Sequence, residues 1–129
     1  MNELDEFTKA YIEAALFTST DDNDNPLDEN HEISDIAAGS LAQIISDCNK
    51  FRAIPEVAAD LAEASELKSD YNDIYSGHDF WLTRNGHGCG FWGRGLGACG
   101  DRLSNQARGF GDSDMYVGDN EKLHVSPID

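Results

Sequence analysis

The chain has 129 residues, 40% of them hydrophobic, and sets 25 Asp and Glu against only 9 Lys and Arg, for a formal net charge of −16. That length supports one domain with a modest core, spanning residues 1–129. A field of that sign repels nucleic acid and anionic membrane and attracts basic surfaces, so direct binding to either of the first two is not expected.

Taken in chain order, residues 3–17 read as an amphipathic helix. Leu4, Phe7, Tyr11, Ile12, Ala15 and Leu16 fall at three-and-four spacing, and Asn2 is placed to cap it. Residues 18–33, dense in Asp and Asn and carrying Pro26, read as a loop. The string Ser40-Leu41-Ala42-Gln43 has the form of a capping box opening a second helix, which would bury Leu41, Ile44, Ile45 and Cys48. Pro55 suits the first turn of a third helix, running to about Ser69 with Val57, Ala58, Leu61 and Ala62 inward. The pattern changes near Tyr71. Residues 79–84 and 89–92 read as an antiparallel strand pair connected from Asn85-Gly86, which makes hairpin partners of the two Phe-Trp pairs at 80–81 and 91–92. Leu96, Cys99, Leu103, Ala107 and Phe110 trace a helical face, and residues 115–117 and 123–125 close the chain as a hairpin around Asp119-Asn120. The expected fold class is α+β: N-terminal helices (1–76) packed on a small antiparallel sheet of ββαββ order (77–129).

Charge is unevenly placed along these elements. Residues 1–79 hold nineteen of the carboxylates and four of the cations, a balance of −15, and residues 80–129 are nearly neutral. On the third helix Glu56, Asp60, Glu63, Glu66 and Asp70 are spaced by four, three, three and four, which puts them within an arc of roughly 120° and about 5–6 Å apart along the axis. Lys68 is the only basic residue between Pro55 and Arg84, so repulsion along the stripe looks uncompensated in sequence. Asp21, Asp22, Asp24, Asp28, Glu29, Glu32 and Asp35 extend the same surface. A row of that kind imitates the phosphates of one duplex strand and can occupy a groove built for a backbone. The plainer reading is a solvated helix face.

Other chemistries are weaker. Asp21, Asn23, Asn25 and Glu32 stand at positions one, three, five and twelve of a calcium loop, but Pro26 replaces the turning Gly and Asp28 the apolar anchor. Residues 86–100 hold seven Gly in fifteen positions and match G-x-G-x-x-G twice, without the parallel-sheet context of a dinucleotide site. Amides of this loop, with Arg84, Arg94 and Arg102, can hold one phosphate or carboxylate; Trp81, Arg84, His87, Trp92 and Arg94 are the candidate lining of such a pocket. His78, His87, Cys89 and Cys99 are a conceivable zinc set at no known spacing. Cys89, His87 and Asp79 are the only neighbours resembling a hydrolytic set, and no catalytic residue or cofactor is assigned. The three Cys are few and odd in number, so no disulfide framework is expected. The opening Met1-Asn2-Glu3-Leu4-Asp5-Glu6 lacks the basic and apolar regions of a signal peptide. The expectation is a cytoplasmic protein with reduced thiols.

Residues 77–102, Gly-His-Asp-Phe-Trp-Leu-Thr-Arg-Asn-Gly-His-Gly-Cys-Gly-Phe-Trp-Gly-Arg-Gly-Leu-Gly-Ala-Cys-Gly-Asp-Arg, resemble a segment of small acidic proteins encoded by bacteriophages and mobile elements, most specifically over 77–92. The Asp-rich loop before Pro26-Leu27-Asp28 and the ending Tyr116-Val117-Gly118-Asp119 are similar too. The resemblance implies a setting in which small acidic proteins bind restriction, CRISPR or repair enzymes of the host. It carries no catalytic residue. The expected function is stoichiometric inhibition of a basic nucleic-acid-binding host protein by a duplex mimic; the alternative is small-ligand or metal binding by residues 77–102.

Overall fold

The protein is described by a computed structural model over residues 4–86 and 90–128. Helix α1 (Glu6–Thr18) is capped by Asp5, whose carboxylate accepts the Thr8 N–H at 2.8 Å; Asn2, the expected cap, lies outside the described residues. It buries residues on more than one face, among them Phe7, Tyr11, Ile12, Ala15 and Leu16. The loop that follows contains two 3₁₀ turns, Leu27–Glu29 and Ile33–Asp35, and is anchored by the fully buried Leu27.

Helix α2 (Ala38–Ala53) begins two residues before Ser40, so the expected capping box is not formed. Ser40 is buried and its hydroxyl accepts the Val125 N–H at 3.0 Å, tying the helix to the end of the chain. Of the four inward positions expected, Ile44 and Cys48 are buried while Leu41 and Ile45 are half-buried. Helix α3 (Pro55–Leu67) does start on its proline, with Ile54 alone between it and α2. Its buried residues are Val57, Asp60 and Ala64; Ala58 and Ala62 face water, which corrects the expected inward face.

The largest correction concerns residues 79–84. They are the C-terminal half of helix α4 (Asp73–Arg84), capped by Asn72, whose side chain accepts the Ile74 and Tyr75 amides. Their expected strand partner is not a strand either, since Phe91–Arg94 form a 3₁₀ turn; Cys89 lies outside the described residues. The two Phe-Trp pairs are therefore not hairpin partners. Helix α5 (Ala98–Arg108) buries Cys99, Leu103 and Ala107 as its spacing predicts. Strands β1 (Asp114–Val117) and β2 (Leu123–Ser126) pair antiparallel, with Met115 opposite Val125 and Tyr116 opposite His124.

The result is an α+β molecule of five α-helices and one two-stranded antiparallel sheet among the described residues, without the ββαββ order. Helix α1 packs most extensively on α4. At their crossing a Cβ on Gly77 would collide with the Phe7 carbonyl oxygen and come within 3.0 Å of Ala10 Cβ, so only glycine permits this approach. The core centres on Phe51 and Phe80, stacked at 4.1 Å with 6° between planes, with Phe7, Phe91 and Phe110 around them. Full burial of such a ring contributes about 1.5–3 kcal/mol. The hairpin joins this body along β2, where the Ala37 N–H donates to the Leu123 carbonyl at 2.9 Å.

Candidate partner-binding surface

Four of the five arginines, Arg52, Arg84, Arg94 and Arg102, each pair with a carboxylate. Arg84, at the end of α4, is 3% exposed in its side chain. It donates to Asp47 at 2.9 Å, to the Tyr11 hydroxyl at 3.0 Å, and to the Gly111 and Phe110 carbonyls at 2.8 and 3.2 Å. Burial works against its charge, but Tyr11 and Asp47 outweigh that and hold its pKa above the ordinary value. Arg94 clasps the wholly buried Asp79 at 2.9–3.1 Å, and Tyr71 donates its hydroxyl to the same carboxylate at 2.8 Å. Burial pushes the Asp79 carboxyl up, with Arg94 and Tyr71 pulling the other way. Arg102 on α5 holds Asp60 of α3 at 2.9–3.2 Å.

That last pair changes the electrostatics of the α3 stripe. Asp60 is buried, with Arg102 across it from a helix 42 residues downstream, and Glu63 lies 3.6 Å from the same guanidinium. Repulsion along the stripe is thus partly compensated. Glu56 and Glu66 stay exposed, and Asp70 falls beyond the end of α3 in the turn before α4, also exposed. With Asp60 withdrawn, Glu56 and Glu63 stand about 10 Å apart along the axis, so the row is interrupted.

In the loop, Asp22, Asp24, Asp28, Glu29 and Glu32 are exposed and Asp21 and Asp35 half-buried. The Asp21 carboxylate accepts the Asn23 and Asn25 amides at 2.8 and 3.0 Å, and Asp35 accepts the Glu32 amide at 2.8 Å. Of the two carboxylates in the expected calcium set, Asp21 thus shapes its own turn, and Glu32 accepts the Ser34 hydroxyl at 2.8 Å. No group of three or more His, Cys, Asp or Glu is placed to hold a metal among the described residues. Of the zinc and hydrolytic sets, His87 and Cys89 lie outside the described residues, Cys99 is buried with its thiol donating to the Leu96 carbonyl, and Asp79 sits beneath Arg94.

The candidate pocket of the glycine-rich segment is dispersed. Trp81 is buried and its indole N–H donates to Thr18 at 2.8 Å; it borders a groove of about 570 Å³ with Thr20, Asp112 and Asp114. Arg84 is fully engaged inside, Trp92 is 53% exposed, and Arg94 borders a separate depression. His87 lies outside the described residues.

Sequence reasoning missed the acids that join the 21–35 loop in space. Asp21, Asp22 and Asp35 border one depression of about 430 Å³ with His31 and with Glu121 from the β1–β2 turn, and no Lys or Arg among the described residues lines it. No local spacing signals this meeting, because the partners lie at opposite ends of the chain. Setting aside Glu3 and Asp129, which are outside the described residues, and the five carboxylates with an arginine within 4 Å, eighteen of the twenty-five have no ion pair among the described residues. Sixteen of them are exposed, Asp21 and Asp35 being the half-buried ones. Against them stand Lys9, Lys50, Lys68, Arg108 and Lys122, all exposed.

No helix among the described residues is long and apolar enough to cross a membrane. No protein-family model, curated protein or solved structure matches the chain.

Proposed function

We propose that this is an acidic binding protein that occupies the basic groove of a nucleic-acid-processing protein, in the manner of a phage-encoded inhibitor of restriction, CRISPR or repair enzymes. The observation that carries this reading is the surplus of exposed carboxylates left after four arginines have each taken an acidic partner. Arg84 and Arg94 spend their charge on the sheltered Asp47 and Asp79, and Arg52 and Arg102 are paired nearer the surface, so exposed carboxylates far outnumber unpaired cations. Eighteen acids against five cations without an ion pair among the described residues make a field that attracts a basic cleft and repels the nucleic acid that cleft is built for. The interrupted α3 row shifts the weight from phosphate-by-phosphate imitation to the field, with Glu56, Glu63, Glu66 and Asp70 on one side and the 21–35 loop with Glu121 on another.

The test is capture on the immobilised protein from bacterial lysate at low and high salt, followed by competition with duplex DNA. The expected result is a nucleic-acid enzyme that is retained at low salt, released at high salt and displaced by excess duplex. Glu56→Lys with Glu66→Lys, or Asp22→Lys with Asp24→Lys, should weaken its capture. Retention insensitive to salt and duplex, or no captured enzyme at all, rejects the proposal.

A further inference from the structure

Arg94 is held differently from the fully engaged Arg84. A guanidinium carries five N–H donors in one plane. The Nε–H and one Nη2–H of Arg94 face Asp79, while the end-on fork, made of Nη1 and the other Nη2–H, has no acceptor among the described residues. Arg84 has acceptors on all three nitrogens; Arg102 is held side-on by Asp60 in the same way as Arg94, but Glu63 stands 3.6 Å from its Nη2 and so faces its fork with an acid. The group is fixed in place from two sides, by the buried Asp79 carboxylate and by the Tyr75 ring, whose centroid lies 5.1 Å from the guanidinium carbon. Its side chain is nevertheless 30% exposed.

Arg94 borders a depression of about 280 Å³ together with Lys68, Asp70, Tyr71, Tyr75 and Gly93. Lys68 is exposed and forms no ion pair among the described residues, with Asp70 or any other acid. Two cations with donors to spare thus share one concavity in a chain of net charge −16. End-on bidentate contact to a planar or tetrahedral oxyanion is the geometry an open guanidinium fork serves best.

We propose that this depression, between the end of α3, the start of α4 and the 91–94 turn, binds a small ligand through its oxyanion group, a carboxylate or a phosphate. The Arg94 fork and the Lys68 ammonium hold the oxyanion, and the Tyr75 ring forms a wall for whatever carries it. Asp79 is a positioning residue that fixes the plane of the arginine. The site is independent of the acidic-surface reading, whose residues it does not use except for Asp70 on the rim, and either can fail alone.

The experiment is ¹H–¹⁵N NMR titration of the full chain with benzoate and with phenyl phosphate, each to about 10 mM at constant ionic strength set with chloride. The two probes share a ring and differ in the oxyanion, so the tighter midpoint identifies the group preferred. The expected result is saturable shifts confined to Lys68, Tyr75, Gly93 and Arg94, with affinity reduced about fivefold or more by Lys68→Ala, an exposed change that leaves the fold intact. Arg94→Lys, which retains the charge facing Asp79 but lacks the fork, should abolish saturation. Should that variant not fold, the wild-type map and Lys68→Ala decide alone. The proposal is overturned by absent shifts, by shifts spread equally over Lys9, Lys50, Arg108 and Lys122, or by unchanged affinity in Lys68→Ala.

Discussion

Arg84 gathers more of the molecule than any other single polar side chain described above. Its bonds reach α1 through Tyr11, α2 through Asp47 and the segment after α5 through Phe110 and Gly111. Arg84→Met removes the partner of a carboxylate whose side chain is only 13% exposed, together with the donors of two carbonyls and a buried phenol. We expect a loss of about 3–5 kcal/mol in urea unfolding. Arg84→Lys should recover only a fraction, because a compact ammonium with three donors cannot span acceptors spread around a plane. Asp5 supplies a contrasting case near the surface. Partial burial works to raise its carboxyl, yet the Thr8 amide and Arg52 prevail and hold it below the ordinary value. A lowered folded pKa means stability that is present above the unfolded value of 3.8 and lost as pH falls through the folded one. With half of the side chain exposed, the effect is under about 1 kcal/mol. Asp5→Asn keeps a capping oxygen, so wild type and variant should differ in melting temperature near pH 6 and converge near about pH 2.

Among the elements, α4 shows where sequence reading stops. Its first turn carries an Asn cap, but the rest buries Ser76, Gly77, Asp79, Phe80, Trp81, Thr83 and Arg84, a nearly continuous run without a wet face. A helix surrounded by others loses the amphipathic period, and a run of Phe-Trp-Leu-Thr then looks like a strand. Helices α1, α3 and α5 and the closing hairpin were legible because each keeps a solvent side or a turn signal. The acidic stripe was legible in the same way, as a spacing, but not the fate of Asp60. Helical periodicity places that residue on a face and is silent about Arg102, which arrives from another helix. Gly77 provides the test at this scale. Gly77→Ala should raise intrinsic helix propensity yet destabilise the protein by about 1–3 kcal/mol, since α1 and α4 must separate to admit the methyl. A variant as stable as wild type in chemical unfolding would mean that the α1–α4 crossing relaxes freely.

At the scale of the whole molecule, internal pairs and outer acids respond differently to salt. Pairs such as Asp79 with Arg94 are partly sheltered from screening, whereas the exposed carboxylates repel one another through water. Raising sodium chloride from about 10 mM to about 0.5 M should therefore raise the melting temperature by several degrees. A fall would show that the ion pairs contribute more than the surface repulsion removes.

The same arrangement gives the protein a direction in time. During synthesis the first seventy-nine residues leave the ribosome with nineteen carboxylates and four cations. Asp47 waits 37 residues for Arg84, Asp79 waits 15 for Arg94, and Asp60 waits 42 for Arg102. Until then the nascent acidic stretch is swollen by its own charge, and α3 lacks the cation that lets its inward carboxylate be buried. The late-made arginines close the structure, and the last of them to emerge, Arg102, is the one that locks α3 against α5.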